Sequence, residues 1–227
     1  MEREQEQRSS YQSFWSGVGT NFPSLKGAAS TAYYAECEQI LLDELFGELD
    51  GALLFKTDLW DEAKNTEILR WAAERGARIA GVDIALATAE EAREVLAARR
   101  PLFAAGDVRA IPFADASVDL CLAFTVFSSI LDDRLARDIA AEMRRVTKPG
   151  GSMLIYDFRY RSRNRNTRPI SSSSIRRLFN ATPTDVASLT LIPPLARALG
   201  PFARWAYRPL AAVPVLRAHQ LVLVTKS

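Results

Sequence analysis

Three short apolar segments, each followed by an aspartate, dominate the stretch between residues 51 and 113. The segments lie at residues 51–55, 78–82 and 102–105, and the aspartates are Asp58, Asp83 and Asp107. Apolar residues with helical spacing separate the first two segments. This alternation of strands and helices predicts a doubly wound α/β sheet. Because such sheets bind ligands at the carboxyl ends of their strands, the aspartates predict a binding site there.

The same alternation continues along the chain. Further strands are predicted at 120–125, 152–156, 185–191 and 219–225, and helices at 29–49, 88–99, 134–146 and 175–179. The length of 227 residues suits one such domain with elaborations. We divide it into an N-terminal helical cap, residues 1–50, and a core, residues 51–227, that carries a helical insert at 192–216.

Composition excludes several classes of protein. The net charge of +2, from 29 basic and 27 acidic residues, favours no charged partner, and nucleic-acid binding is not expected. The chain has no apolar run of about 18 residues, and because its first ten residues are charged and polar we expect no signal peptide. Both cysteines lie in apolar patterns, so we expect no disulfide and a reducing, cytoplasmic setting. No metal site is expected.

The sequences GVDIA, GDVRAIPFADASVDL and EMRRVTKPGGSMLIYDFR resemble the class I S-adenosylmethionine-dependent methyltransferases. The resemblance covers residues 51–160 and implies a Rossmann-like sheet of seven strands with an antiparallel last strand, helices on both faces and an N-terminal helical cap. It implies S-adenosylmethionine as the cofactor, with Asp83 on the ribose hydroxyls and Asp107 and Val108 on the adenine edge. Ile84 and Thr125 complete the cofactor residues expected at these strand ends.

The first strand departs from the family pattern. The family has an acid and a glycine-rich turn there, whereas this chain has FKTDLWDE without glycine. One interpretation is that Asp58 or Glu62 binds the cofactor's ammonium while Thr57 binds its carboxylate. The other is that the pocket is partly closed and the protein no longer methylates. Acids in a first helical turn also favour the helix dipole without any ligand.

Two groups of residues are candidates for acceptor binding. Tyr11 and Trp15 lie in an aromatic, glycine-containing stretch that we expect to be irregular; they pack on the core or form a lid. Arg159 and Arg163 belong to an arginine-rich loop after the fifth strand. That loop is either a solvated surface or a site for an anionic or hydroxyl-rich acceptor.

His219, the single histidine, is a candidate base. In the topology that the resemblance implies, it starts the last strand on the ligand side. A neutral imidazole there accepts a proton from an acceptor hydroxyl, with Asp157 as its best orienting partner. The alternative is a histidine that hydrogen-bonds the insert.

These observations favour methyl transfer from S-adenosylmethionine to a small-molecule acceptor, expected to be a hydroxyl. The alternative is a non-catalytic module of the same fold that binds a ligand or protein. A nicotinamide enzyme would require G-x-G-x-x-G after the first strand, and that motif is absent. A homodimer stays open.

Overall fold

The structure is a computed structural model that describes residues 2–161, 165–183, 185–202, 205 and 209–227. A seven-stranded β-sheet forms its centre. Its strands are β1 (Leu53–Lys56), β2 (Arg78–Asp83), β3 (Leu102–Ala105), β4 (Val118–Phe124), β5 (Thr147–Phe158), β6 (Asp185–Leu191) and β7 (Arg217–Thr225). Their spatial order is β3-β2-β1-β4-β5-β7-β6.

The strand directions confirm the predicted fold class. β1 is parallel to both β2 and β4, and β4 is parallel to β5. β7 is antiparallel to its neighbours β5 and β6. The sheet is therefore doubly wound and Rossmann-like, with an antiparallel last strand. Because the strand order reverses between β1 and β4, a crevice is expected at the carboxyl ends of these two strands.

Helices cover both faces of the sheet. They are α1 (Glu2–Asn21), α2 (Ala29–Leu45), α3 (Trp60–Lys64), α4 (Ile68–Glu74), α5 (Leu86–Val95), α6 (Asp133–Val146), α7 (Ser172–Phe179) and α8 (Pro193–Leu199). The alternation along β1 shows the two cores: Phe55 packs with the residues of α6 and α7, and Leu54 with those of α2, α4 and α5. Both side chains are fully buried, which stabilises the fold by about 1.5–3 kcal/mol each.

The N-terminal segment differs from the sequence expectation. Residues 11–21, expected to be irregular, continue the helix α1. Gly19, within this helix, has a packing role, because a Cβ at this position would lie 2.4 Å from Oγ1 of Thr88 on α5. The glycine therefore lets two helices approach closely and does not end one. Within the described ranges, no helix combines the length and apolar character needed to cross a membrane.

Candidate functional site

A cavity of about 640 Å³ opens at the carboxyl ends of the central strands, beneath α1 and α2. This volume lies within the range of about 300–1,000 Å³ that is usual for small-molecule sites. The residues selected from the sequence that line it are Tyr11, Trp15, Thr57, Asp58, Asp83, Ile84, Asp107, Val108, Thr125 and His219. The fold thus brings the ends of β1, β2, β3 and β4 and the start of β7 to one site.

Two selected residues, Asp157 and Arg159, do not line this cavity, and a third lies outside the described residues. Asp157 is fully buried, and its carboxylate accepts hydrogen bonds from the backbone N–H groups of Ser128 (2.9 Å) and Phe158 (2.8 Å). Burial raises the pKa of Asp157 to about 6. Arg159 has an exposed side chain, and its backbone N–H donates to Ala218. Arg163 lies outside the described residues, so acceptor binding by the arginine-rich loop stays a prediction.

Asp83 is held at the end of β2 by two backbone amides. Its Oδ2 accepts from the N–H of Leu59 at 3.0 Å, and its Oδ1 accepts from the N–H of Ala85 at 2.9 Å. Burial raises the pKa of Asp83, while these two hydrogen bonds oppose the rise. Each carboxylate oxygen keeps a second acceptor position, so a vicinal diol in the cavity finds two oriented acceptors.

Asp107 lies past the end of β3 and is paired with Arg109. The guanidinium donates to both carboxylate oxygens, with Nη2 at 2.6 Å from Oδ2, and the backbone N–H of Arg109 also donates to Oδ1. The cation fixes the carboxylate beside the backbone of Val108 at the cavity wall. Arg109 was not selected from the sequence, although a basic residue two positions after the aspartate was a signal for this pair.

The glycine-free first turn is organised by a buried lysine. Lys56, the last residue of β1, is fully buried, and its Nζ lies 3.1 Å from Asp58, 3.1 Å from Asp61 and 3.0 Å from Glu62. Burial by itself would lower the pKa of Lys56, but the three carboxylates outweigh it and raise the pKa well above its usual range. The turn is therefore held together by a buried ion cluster of one lysine and three carboxylates.

Gly81 on the neighbouring strand accommodates the bulk of this turn. A Cβ on Gly81 of β2 would lie 2.6 Å from Cδ2 of Leu59, which is itself fully buried. Gly81 therefore leaves room for the leucine of this turn. The side chain of Leu59 packs into the space beside Gly81, and the neighbouring cavity remains open.

The structure changes the roles expected for this turn. The hydroxyl of Thr57 donates to the carbonyl of Leu122 at 3.1 Å, so it is not available as a donor to a ligand carboxylate. Glu62 pairs with Lys56 and accepts from the N–H of Leu69, and it does not reach the cavity. Asp58 does line the cavity, and its Oδ2 is buried without a hydrogen-bond partner. Of the two acids proposed for an ammonium, only Asp58 can therefore contact one.

Thr125 closes β4 in a conformation that is unusual for its type. Its φ is +54°, in the left-handed region that a β-branched residue rarely adopts. Its N–H donates to the carbonyl of Tyr156 at 2.7 Å, and its carbonyl accepts from the hydroxyl of Ser129 at 3.1 Å. These contacts hold a strained residue against the cavity, which is a common feature of functional sites.

His219 lies in an aromatic stack and has a different partner from the one expected. Its Nδ1 lies 2.6 Å from Oγ1 of Thr190, and its ring packs on Tyr156 (4.7 Å between centroids) and Phe158 (4.3 Å). Asp157 pairs across the ladder with Gln220 and so projects from the opposite face of the sheet. The proposed Asp157–His219 pair is therefore wrong. Burial lowers the pKa of His219 to about 3, which makes the imidazole a weak base.

His219→Phe is expected to reduce the loss of stability on acidification while retaining the stack. The unfolded histidine titrates near pH 6.5 and the folded one near 3, so the unfolded state binds more protons between these values. Stability is therefore lost as the pH falls from about 6.5 towards 3. Between pH 7 and pH 5, the wild type should lose about 2 kcal/mol more than the variant in urea denaturation. Equal losses would show that His219 titrates normally.

Three polar residues that line the cavity were not selected from the sequence. They are Glu38, Trp60 and Tyr156. A signal existed for Glu38, because it lies four residues after Tyr34 and three before Leu41, on the apolar stripe of α2. An acid on a buried helical face requires a partner or a function.

The comparisons with known proteins agree with this geometry. A family model described as a methyltransferase domain matches residues 65–155. Malonyl-acyl-carrier-protein O-methyltransferase of Serratia marcescens is 37% identical over 81 residues, which are 36% of this chain and 30% of that protein. Demethylmenaquinone methyltransferase of Renibacterium salmoninarum is 35% identical over 88 residues, 38% of this chain and 34% of that protein. The chain therefore matches about a third of the length of these curated relatives.

Solved structures share the fold at low sequence identity. A protein of Pyrococcus horikoshii has a TM-score of 0.63 at 15% identity, covering 93% of this chain and 96% of its own. Geranyl diphosphate C-methyltransferase of Streptomyces coelicolor, solved with S-adenosylhomocysteine, scores 0.60 at 14% identity, covering 84% and 78%. The cyclase SpnF scores 0.62 at 16% identity, covering 83% and 80%. Because a cyclase shares this fold, the fold by itself does not determine the reaction.

Proposed function

We propose that this chain is a class I S-adenosylmethionine-dependent methyltransferase and that it transfers a methyl group from that cofactor to a small-molecule acceptor. The observation that carries the proposal is the placement of Asp83 and Asp107 at the ends of β2 and β3, facing one cavity. The matched methyltransferase domain and the neighbours solved with the cofactor or its product support S-adenosylmethionine. The curated relatives are named for malonyl-acyl-carrier protein and demethylmenaquinone, which supports a small acceptor group.

The residues of the cavity fit this cofactor. Asp83 offers oriented acceptors to the ribose hydroxyls, and Asp107 with the backbone of Val108 offers the adenine contacts that the family uses. Asp58 offers a carboxylate to the ammonium. When bound, S-adenosylmethionine supplies an electrophilic methyl group whose bond to sulfur breaks as the acceptor's lone pair forms the new bond.

The chain's own contribution is to align the acceptor and exclude water. Residues 1–50 act as a cap: the hydroxyl of Tyr11 donates to the carbonyl of Ser129 at 2.8 Å, which ties α1 to the loop after β4. Trp15 lies beside Tyr11 in the cavity wall. The acceptor lies between this cap and the aromatic stack around His219, and a hydroxyl acceptor remains part of the proposal.

Binding of S-adenosylmethionine and S-adenosylhomocysteine tests the proposal directly. At millimolar concentration, each ligand should raise the melting temperature by several degrees, as a ligand at about 100 times its Kd adds about 2.7 kcal/mol. Calorimetry should give one site per chain, and NAD at the same concentration should have no effect. No response to either adenosyl ligand would reject the enzyme and favour a non-catalytic module, which the glycine-free first turn also permits.

A further inference from the structure

The chain divides its charge unevenly, although its net charge is only +2. Residues 1–157 contain 17 basic and 26 acidic side chains, a net charge of −9. Residues 158–227 contain 12 basic side chains and a single acid, Asp185, a net charge of +11. A strong asymmetry between two parts of a chain indicates a negatively charged partner for the basic part. The balanced total therefore conceals a basic C-terminal part.

Two segments of this basic part lie at the same edge of the sheet. The arginine-rich loop, residues 159–168, follows β5, and the helical insert, residues 192–216, follows β6. Because β5 and β6 are both antiparallel to β7, they run in the same direction and end at the same edge. This is the carboxyl edge of the parallel strands, where the cavity opens. The topology therefore places both segments beside the cavity.

Contacts join the loop to the insert. The backbone N–H of Arg159 donates to the carbonyl of Ala218 at 2.9 Å, two residues after the insert ends. Burial raises the pKa of Tyr160 in the loop, and the positive charge of Arg197 in the insert opposes that rise, so these two side chains are close. Arg197 also lines the cavity. The loop and the insert thus form one surface, which we call the C-terminal face.

The C-terminal face is positively charged. Arg161 and Arg165 of the loop and Arg197 of the insert have exposed side chains. Arg168 of the loop pairs with Asp133 of α6 at 2.7 Å, so its charge is neutralised. The sequence of the two segments contains no acidic residue. The exposed arginines therefore attract an anionic partner.

The same face exposes large apolar side chains. Phe202, Trp205 and Val215 of the insert have exposed fractions of 77%, 87% and 80%. Among the other large apolar side chains that the structure describes, the most exposed is Leu86, at 57%. Burial of apolar surface is favourable, so a group of such side chains marks a site of interaction. The partner of this face must therefore be both anionic and apolar.

A bilayer that contains anionic lipids has both properties. Its negative surface attracts arginines, and its interface takes up tryptophan and other apolar side chains. A folded protein partner would need a groove matched to each protruding side chain, whereas a fluid bilayer needs none. Nucleic acid would attract the arginines but offers no apolar medium for Phe202 or Val215.

We propose that the exposed residues of the C-terminal face dock this chain on an anionic membrane surface. The apolar side chains of the insert enter the interface, and the arginines of the loop lie over the lipid headgroups. Docking in this way brings the carboxyl edge of the sheet, and with it the cavity, close to the bilayer. This inference goes beyond the proposed function and does not depend on methyl transfer.

Flotation of the full chain with lipid vesicles tests the proposal. The protein should bind vesicles of phosphatidylcholine mixed with phosphatidylglycerol at least about tenfold more tightly than vesicles of phosphatidylcholine alone. Binding should weaken as the salt concentration rises, because the Debye length falls from about 10 Å at 0.1 M to about 3 Å at 1 M. Equal binding to both kinds of vesicle, or none to the anionic kind, would overturn the proposal.

Substitutions separate the two contributions. Arg161→Gln with Arg165→Gln should weaken binding to anionic vesicles by about 25-fold, or about fivefold for each charge removed. Trp205→Ala should weaken it by about tenfold or more, because the bilayer no longer buries the indole. Both variants should melt at the wild-type temperature, since these side chains are exposed.

Fluorescence reports on insertion directly. The chain has four tryptophans, and Trp205 is the exposed one. Its emission should shift to shorter wavelength when anionic vesicles are added, because the indole leaves water. Trp205→Phe should lose most of this shift while it still floats with the vesicles. A wild-type spectrum that does not change on vesicle binding would overturn the insertion of the insert.

Matched controls lie at the opposite edge of the sheet. Arg78 and Leu102 are exposed first residues of β2 and β3. Arg78→Gln and Leu102→Ala make the same kinds of change away from the C-terminal face, and both should bind vesicles as the wild type does. Losses equal to those of the C-terminal variants would show that overall charge or stability, and not this face, controls binding.

The outcomes separate docking from the proposed function. Wild-type protein that binds anionic vesicles but neither adenosyl ligand contradicts the cofactor and leaves docking intact. Protein that binds S-adenosylhomocysteine but no anionic vesicle contradicts docking alone. Binding to heparin or duplex DNA without binding to anionic vesicles assigns the basic face to another polyanion and also overturns docking.

Discussion

Lys56→Met should lower the free energy of unfolding by about 3–5 kcal/mol, the usual cost of removing one partner from a buried ion cluster. The lysine is fully buried, and it is the cation that Asp58, Asp61 and Glu62 share. Methionine fills a similar volume, so the loss reports on charge more than on packing. Urea denaturation at pH 7 measures it.

The matched control for this variant is Lys148→Met. Lys148 is 43% exposed and pairs with Asp119 at 2.6 Å, and surface pairs of this kind contribute about 0–1 kcal/mol. The destabilisation of Lys56→Met should also shrink at pH 5, because protonated carboxyls need no cation. A loss below about 1 kcal/mol at pH 7 would mean that water or protonation already neutralises the cluster.

Asp83→Ala should weaken the binding of S-adenosylhomocysteine by about 1.5–3 kcal/mol, or about 10–150-fold. The substitution removes the charged acceptor that the end of β2 presents to the cavity. It also leaves the N–H groups of Leu59 and Ala85 without their partner, so a loss of stability should accompany it. Calorimetry gives the affinity, and thermal denaturation gives the stability.

Asp83→Asn separates these two effects. The amide keeps one acceptor oxygen for the backbone, so stability should fall less than in Asp83→Ala, while ligand affinity should still fall because the charge is lost. Asp50→Asn, at an exposed aspartate, serves as the control. Wild-type affinity in both Asp83 variants would remove this residue from the proposed cofactor site.

The sequence by itself determined the order of the elements and the edge of the sheet where the site lies. Alternating strand and helix periodicity is a local property of the chain, and parallel strands joined by helices have few possible arrangements. An acid placed after β2 or β3 must then lie at the carboxyl edge, whatever its neighbours are. This is why Asp83 and Asp107 could be selected before the structure and are found in one cavity.

Only the tertiary structure decided which side chains face each other across that edge. Asp157 and His219 differ by one position in the β5–β7 register, and this single step places them on opposite faces of the sheet. Glu38 reaches the cavity because α2 packs over the sheet, a contact that no local pattern specifies. Gly81 of β2 packs against Leu59 of the first turn, so examining that turn alone could not show how its leucine is accommodated. Such contacts join residues that are distant in sequence, and their geometry exists only once the chain has folded.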